Sequence, residues 1–272
     1  PADAVRSLEA LAALLLRIEP HNPELYYSFS RPFARLAGRN SDVLRQTLAL
    51  VERAHKLAPA LCAYASEVGY QQMLLGPLAA ARATLRRARQ LEGGSEVVVA
   101  LQMRVGILMG DLDEASQQLD FVTATQTSRS ADVALCGALL ARRQTGGEGD
   151  AQALLDEALN LHMDTVRNLP FNDEYFVKLD PDLLLSIARE YIALASDEPR
   201  LLDAGHPSAM ALAKASQLLE ELTKLVPGLL DGQMLLARAR YAAADFEAAI
   251  RIGQVVSRAE PGHLPAVLLQ AE

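Results

Sequence analysis

The 272 residues contain no tryptophan, and aromatic residues make up only 5% of the chain. β-Sandwiches and barrels fill their pleated faces with aromatic and β-branched side chains, so composition largely excludes an all-β fold. Only two cysteines occur, Cys62 and Cys136. They form neither a metal-ligand spacing nor a disulfide framework, and they read as two buried small hydrophobes of a protein in a reducing compartment. Positive charge is short, with 26 Lys and Arg against 34 Asp and Glu and a net charge of −8. A general nucleic-acid binder would carry a basic face, so no nucleic-acid partner is expected. Long apolar runs are also missing. The best candidate, residues 8–16, is interrupted by Glu9 and followed by Arg17. That is short of the roughly 20 residues that cross a bilayer, so no direct membrane insertion is expected, and no signal peptide is visible.

Alanine and leucine are abundant instead: 46 and 48 residues, about a third of the chain. Both are strong helix formers. Val226-Pro227-Gly228 and Glu260-Pro261-Gly262 each end a helical stretch, and the two prolines are 34 residues apart. This is the tetratricopeptide (TPR) spacing of two antiparallel helices per unit. With Pro261 at repeat position 32, Pro59 and Pro227 fall at the same position. Position 8, where the two helices cross most closely, holds Ser30, Gly69, Gly137, Ala188 and Ala237, with Met103 as the exception. Position 20 holds Ala81, Ala115, Ala215 and Ala249, and Leu85, Leu119 and Leu219 follow one turn later on the same face. The expected fold is an all-α TPR helix-turn-helix solenoid, a right-handed superhelix, forming a single domain over residues 1–272. Six units are expected at 23–59, 60–93, 95–128, 130–168, 180–227 and 228–261, with half units at both ends that read as a slice of a longer solenoid.

Three insertions break the period. They lie in the first hairpin around Gly38, in the fifth hairpin at residues 196–207, and at the junction 168–181, NLPFNDEYFVKLDP. The junction is aromatic enough, through Phe171, Tyr175 and Phe176, to pack back on the solenoid or to meet a partner.

No chemistry is legible. The glycine clusters at 93–94 and 146–149 match no phosphate loop and suit turns. The five histidines have no zinc-helix spacing and read as surface or turn residues. Asp111, Asp113 and Glu114 sit where they complement a helix dipole. No enzyme activity, cofactor or metal is expected. One pattern stands out: position 9 of the first helix is arginine in four of six units, Arg31, Arg104, Arg189 and Arg238. That position faces the concave side of a TPR superhelix. The four form either a basic ladder for an acidic peptide segment or a set of intramolecular pairs.

The phrases PELYYSFSR (23–31), LVERAHKLAP (50–59), GDLDEASQQLDF (110–121), EYFVKLDPDLLL (174–185), TKLVPGLL (223–230) and ARARYAAADFEAAI (237–250) follow in order. In these the chain resembles the tetratricopeptide repeat protein 21 family, the long TPR subunit of intraflagellar transport complex A. The resemblance implies a non-enzymatic scaffold in retrograde ciliary transport and ciliary membrane-protein entry. It also implies the other subunits of that complex as partners, and a place in the cytoplasm, the cilium and the ciliary base. Two alternatives remain open: a TPR cochaperone or adaptor that binds a peptide in its groove, and a TPR arm of a larger enzyme. Carboxylate-clamp cochaperones use Lys and Asn on successive first helices. The five asparagines here, Asn22, Asn40, Asn160, Asn168 and Asn172, lie elsewhere, which counts against that reading.

Overall fold

A computed structural model describes residues 2–93, 95–125, 129–143, 147–195, 203 and 205–269. Among them there are fifteen helices and no strand. A lone helix, α1 (Ala2–Ile18), precedes three hairpins: α2 (Pro23–Leu36) with α3 (Ser41–Leu57), α4 (Cys62–Leu75) with α5 (Leu78–Leu91), and α6 (Glu96–Met109) with α7 (Leu112–Thr125). Then come α8 (Ala131–Arg143) with α9 (Glu148–Val166), the short α10 (Asp173–Leu179), α11 (Pro181–Ala193) with α12 (Pro207–Leu225), and α13 (Leu230–Ala242) with α14 (Phe246–Ala259). The last helix is α15 (Leu264–Leu269). The whole is an all-α, right-handed TPR solenoid.

Local sequence sets the helix ends. Asn40 Oδ1 accepts from the backbone N–H groups of Asp42 and Val43 at the start of α3, and Asp245 caps α14 through Ala248. Gly76 and Gly110 end α4 and α6 in the left-handed region, with φ of 103° and 88°, which glycine adopts without steric cost. Pro23, Pro181 and Pro207 sit in first turns, where no amide hydrogen bond is lost.

Small residues let the helices approach. Ala81, Ala115, Ala215 and Ala249 are each at most 1% exposed. A Cβ added to Gly69 would come within 2.6 Å of the Leu85 side chain, so this crossing has no room for even a methyl group. Cys62 and Cys136 are buried free thiols. His162 departs from the expected surface placement. It is buried on α9, with Nε2 2.8 Å from the Leu179 carbonyl, so it fastens the end of α10 to the hairpin beside it.

The superhelix curls far enough to bring its first hairpin against its later ones. Helix α2 packs on α10 and α11. Gly38, with φ of 58°, lies so close to Leu229 that an added Cβ would meet Leu229 Cδ1 at 2.9 Å. The 168–181 insertion forms α10, which packs on α2 and α9. Most of the 196–207 insertion lies outside the described residues.

Candidate functional site on the inner surface

The first helices of successive hairpins carry a charged network on the inner surface. Arg35 on α2 donates to both carboxylate oxygens of Glu67 on α4, each at 2.8 Å, and both side chains are buried. The Arg35 guanidinium carbon stands 3.8 Å from the centroid of the Tyr70 ring, and its Nε is 3.7 Å from Asp180 Oδ2. Gln71 donates a further hydrogen bond to Glu67 at 2.8 Å. Burial works to raise the Glu67 pKa, but the charge and hydrogen bonds of Arg35, with help from Gln71 and Arg31, hold it below the usual carboxylate range.

Asp180 joins distant hairpins. It sits between α10 and α11 with φ of 36°, in the left-handed region that Asp tolerates through local hydrogen bonding. Its carboxylate accepts from the Leu183 N–H and from the Tyr70 hydroxyl, the latter at 2.9 Å. Two residues on, buried Asp182 receives Arg104 from α6 and Arg39 from the α2–α3 turn, the latter at 3.1 Å. Burial raises the Asp182 pKa, and Arg104 and Arg39 together outweigh it, so its carboxyl is held below the ordinary value. The Arg39 backbone N–H also donates to Asp231 Oδ2 in the first turn of α13.

The four ladder arginines are therefore not equivalent. Arg104 is 5% exposed and spends its guanidinium on Asp182 and Ser186, so it is not offered to a partner. The curl of the superhelix brings α11 opposite α6, and the acidic segment that reaches Arg104 comes from the same chain. Arg31 is half-buried, with its guanidinium 5.0 Å from the centroid of the Tyr27 ring. Arg189 and Arg238 are exposed. Among the described residues none of these three has a carboxylate within 4 Å.

Arg31, Arg35, Glu67, Tyr70, Asp132 and Asp180 line a cavity of about 280 Å³ on this surface. Desolvation and the neighbouring Asp180 charge raise the pKa of Asp132. Cys136 is buried near it and its thiol is pushed up to about 12, mainly by burial, which makes it a poor nucleophile. No group of three or more His, Cys, Asp or Glu among the described residues is placed to hold a metal. No described helix is long and apolar enough to cross a membrane.

Phe171, Tyr175 and Phe176 form one aromatic cluster, with ring centroids 5.0–5.6 Å apart. Tyr175 and Phe176 pack against the main core, while Phe171 is 70% exposed. Sequence reasoning missed Arg35, Glu67, Asp180 and Asp182. The one local signal was the spacing of Arg31 and Arg35, which puts two cations on one helix face.

The sequence model of the tetratricopeptide repeat protein 21 second ARM domain matches residues 6–272. Tetratricopeptide repeat protein 21B of Mus musculus is 32% identical over 271 residues, covering 99% of this chain and 20% of that protein. Tetratricopeptide repeat protein 21A of Mus musculus is 30% identical over 273 residues, covering 100% of this chain and again 20% of the relative. The chain thus spans about a fifth of the length of these relatives. Among solved structures, the crystal structure of the APC/C hetero-tetramer Cut9-Hcn1 superimposes with a TM-score of 0.61 at 12% identity, over 98% of this chain and 46% of that one. This last likeness is one of fold alone. The family match runs through nearly every helix described above, and the chain belongs to the tetratricopeptide repeat protein 21 family.

Proposed function

We propose that this chain is a non-enzymatic protein-interaction segment of a scaffold subunit of intraflagellar transport complex A, acting in retrograde ciliary transport and ciliary membrane-protein entry. The observation that carries the reading is the family match across residues 6–272. The solenoid supports it, because stacked hairpins present long continuous surfaces for protein contacts. Its partners are other subunits of the complex, and its place is the cytoplasm, the cilium and the ciliary base. Two surfaces are proposed for contact: the exposed aromatic cluster headed by Phe171, and the inner-surface arginines left after Arg104 is set aside, Arg31, Arg189 and Arg238, which suit an acidic peptide segment.

Affinity purification of the full-length protein from ciliated cells, with mass spectrometry of what co-purifies, tests the assignment. Recovery of the complex's other subunits, lost when residues 23–261 are deleted, is the expected result. Co-purification of an unrelated assembly in their place overturns it.

A further inference from the structure

Positive charge is also concentrated on α5, away from the cavity lined by Arg31 and Arg35. Helix α5, LAAARATLRRARQL, carries four arginines and no acidic residue in a chain whose net charge is −8. Three of them, Arg82, Arg86 and Arg89, line a groove of about 310 Å³ between α5 and α7, floored by Gly106 and Ala115. Arg82 is already held by Asp111 and Glu114. Arg86 is not: its nearest carboxylate oxygen, on Glu114, is 3.9 Å away, and its side chain is 59% exposed. Arg89 donates only to the neutral amide oxygen of Gln102, at 3.2 Å. The groove thus holds two guanidinium groups without a hydrogen-bonded carboxylate among the described residues.

The chemistry of these two guanidinium groups identifies what would lie there. Carboxylates pair with them through charge-assisted hydrogen bonds, and an acidic peptide supplies carboxylates from successive side chains. The net charge of −8 disfavours a densely charged phosphodiester backbone or an anionic lipid surface more than a segment in which acidic residues alternate with neutral ones. The neighbouring groove differs in charge. The equivalent groove one unit along, between α7 and α9, is lined by exposed Asp120 and Asp150, and its one cation, Arg129, is paired with Glu157.

We propose that the α5–α7 groove is a docking site for an acidic, extended segment of a partner protein, separate from the inner surface. The test is fluorescence anisotropy of the chain with a labelled peptide of alternating Glu and Ser. Saturable binding that weakens with added salt is expected. Arg86→Glu with Arg89→Glu should weaken it by about tenfold, since each exposed pair contributes modestly and reversal turns attraction into repulsion. Arg86→Gln with Arg89→Gln removes both charges and leaves an amide at the second position that can still donate to Gln102. It gives the same direction if the reversal variant folds poorly by circular dichroism. Arg45→Glu with Arg251→Glu, exposed arginines on α3 and α14 that line neither surface, should leave it unchanged. Binding that survives the α5 variants and is lost with Arg189→Glu and Arg238→Glu would place the peptide on the inner surface and overturn the proposal. The proposal is overturned if the α5 variants bind the peptide as wild type does. It is equally overturned if a phosphatidylserine vesicle or a single-stranded oligonucleotide binds in preference to the peptide, or if sedimentation shows that the groove instead mediates an Arg86-dependent dimer of the chain.

Discussion

Arg35 grips Glu67 with two hydrogen bonds of 2.8 Å, and neither side chain is more than 9% exposed. The pair joins the first helices of two successive hairpins, so its loss is felt in their packing. Removing one partner leaves the other buried and uncompensated, which costs about 3–5 kcal/mol. Arg35→Met should therefore lower stability by that order. Arg35→Met combined with Glu67→Met should recover most of the loss, because no bare charge remains. Chemical denaturation of the three proteins reads this directly. If the double variant is as unstable as the single one, the pair is holding the hairpins in register through geometry that apolar packing does not replace.

The Gly69–Leu85 crossing makes a steric prediction. Gly69→Ala forces a methyl group to within 2.6 Å of Leu85, so the helices must part or Leu85 must change rotamer. Overpacking of this kind costs about 1–3 kcal/mol. Leu85→Ala is itself destabilising, since Leu85 is fully buried. Added to Gly69→Ala, it should cost less than it does alone, because the new methyl occupies part of the space it vacates. Strict additivity in denaturation midpoints would show that the two residues are not in contact.

This crossing also shows what the sequence makes legible. The 34-residue period and the alanine and glycine positions encode contacts between neighbouring helices, which are local in sequence and repeat with the unit. The all-α solenoid follows from them. The fate of Arg104 does not. Its position in the repeat says that it faces inward, and it does, but its partner Asp182 lies 78 residues away. That pairing depends on how tightly the superhelix curls, a property summed over several small inter-unit rotations and written in no single unit. The same holds for Tyr70 and Asp180, which are 110 residues apart. The 168–181 insertion was ambiguous for a different reason. Aromatic content marks a segment as apolar without saying which face is covered, and the insertion divides its rings between the core, where Tyr175 and Phe176 pack, and solvent, which Phe171 meets.

Acidity should act on the inner surface in two opposite directions. Glu67 and Asp182 have folded-state pKa values below their unfolded ones, so the stability they contribute is present above about pH 4 and is lost as pH falls through the folded values. Asp132 is raised by desolvation and by Asp180, so its ionisation weakens the fold as pH rises through its folded value. Asp132→Asn should therefore raise the melting temperature at pH 7 by a few degrees at most. The advantage should vanish as pH falls below about 4, where Asp132 is protonated in both states. Thermal melts of both proteins at the two pH values decide it, and a variant less stable than wild type at pH 7 runs against the assignment.

The aromatic cluster of the 168–181 insertion separates stability from association. Phe171 is 70% exposed, so Phe171→Ala removes little buried surface, and its effect on stability should stay within about 0.5 kcal/mol. Phe176 packs against the main core and should cost more when truncated, within the range of about 3–5 kcal/mol for a fully buried ring and toward or below its lower end because it is only half-buried. If the cluster is a partner contact, Phe171→Ala should release that partner while the melting temperature stays near wild type, since exposed aromatics that anchor an interface contribute about 2 kcal/mol or more to binding. Phe171→Tyr should keep the ring and most of the association. Co-purification from ciliated cells with each variant measures the contact, and differential scanning calorimetry measures the fold. Undiminished recovery of every partner with Phe171→Ala would mean that the exposed ring only completes the stack with Tyr175 and Phe176, whose centroids lie 5.2 and 5.0 Å away.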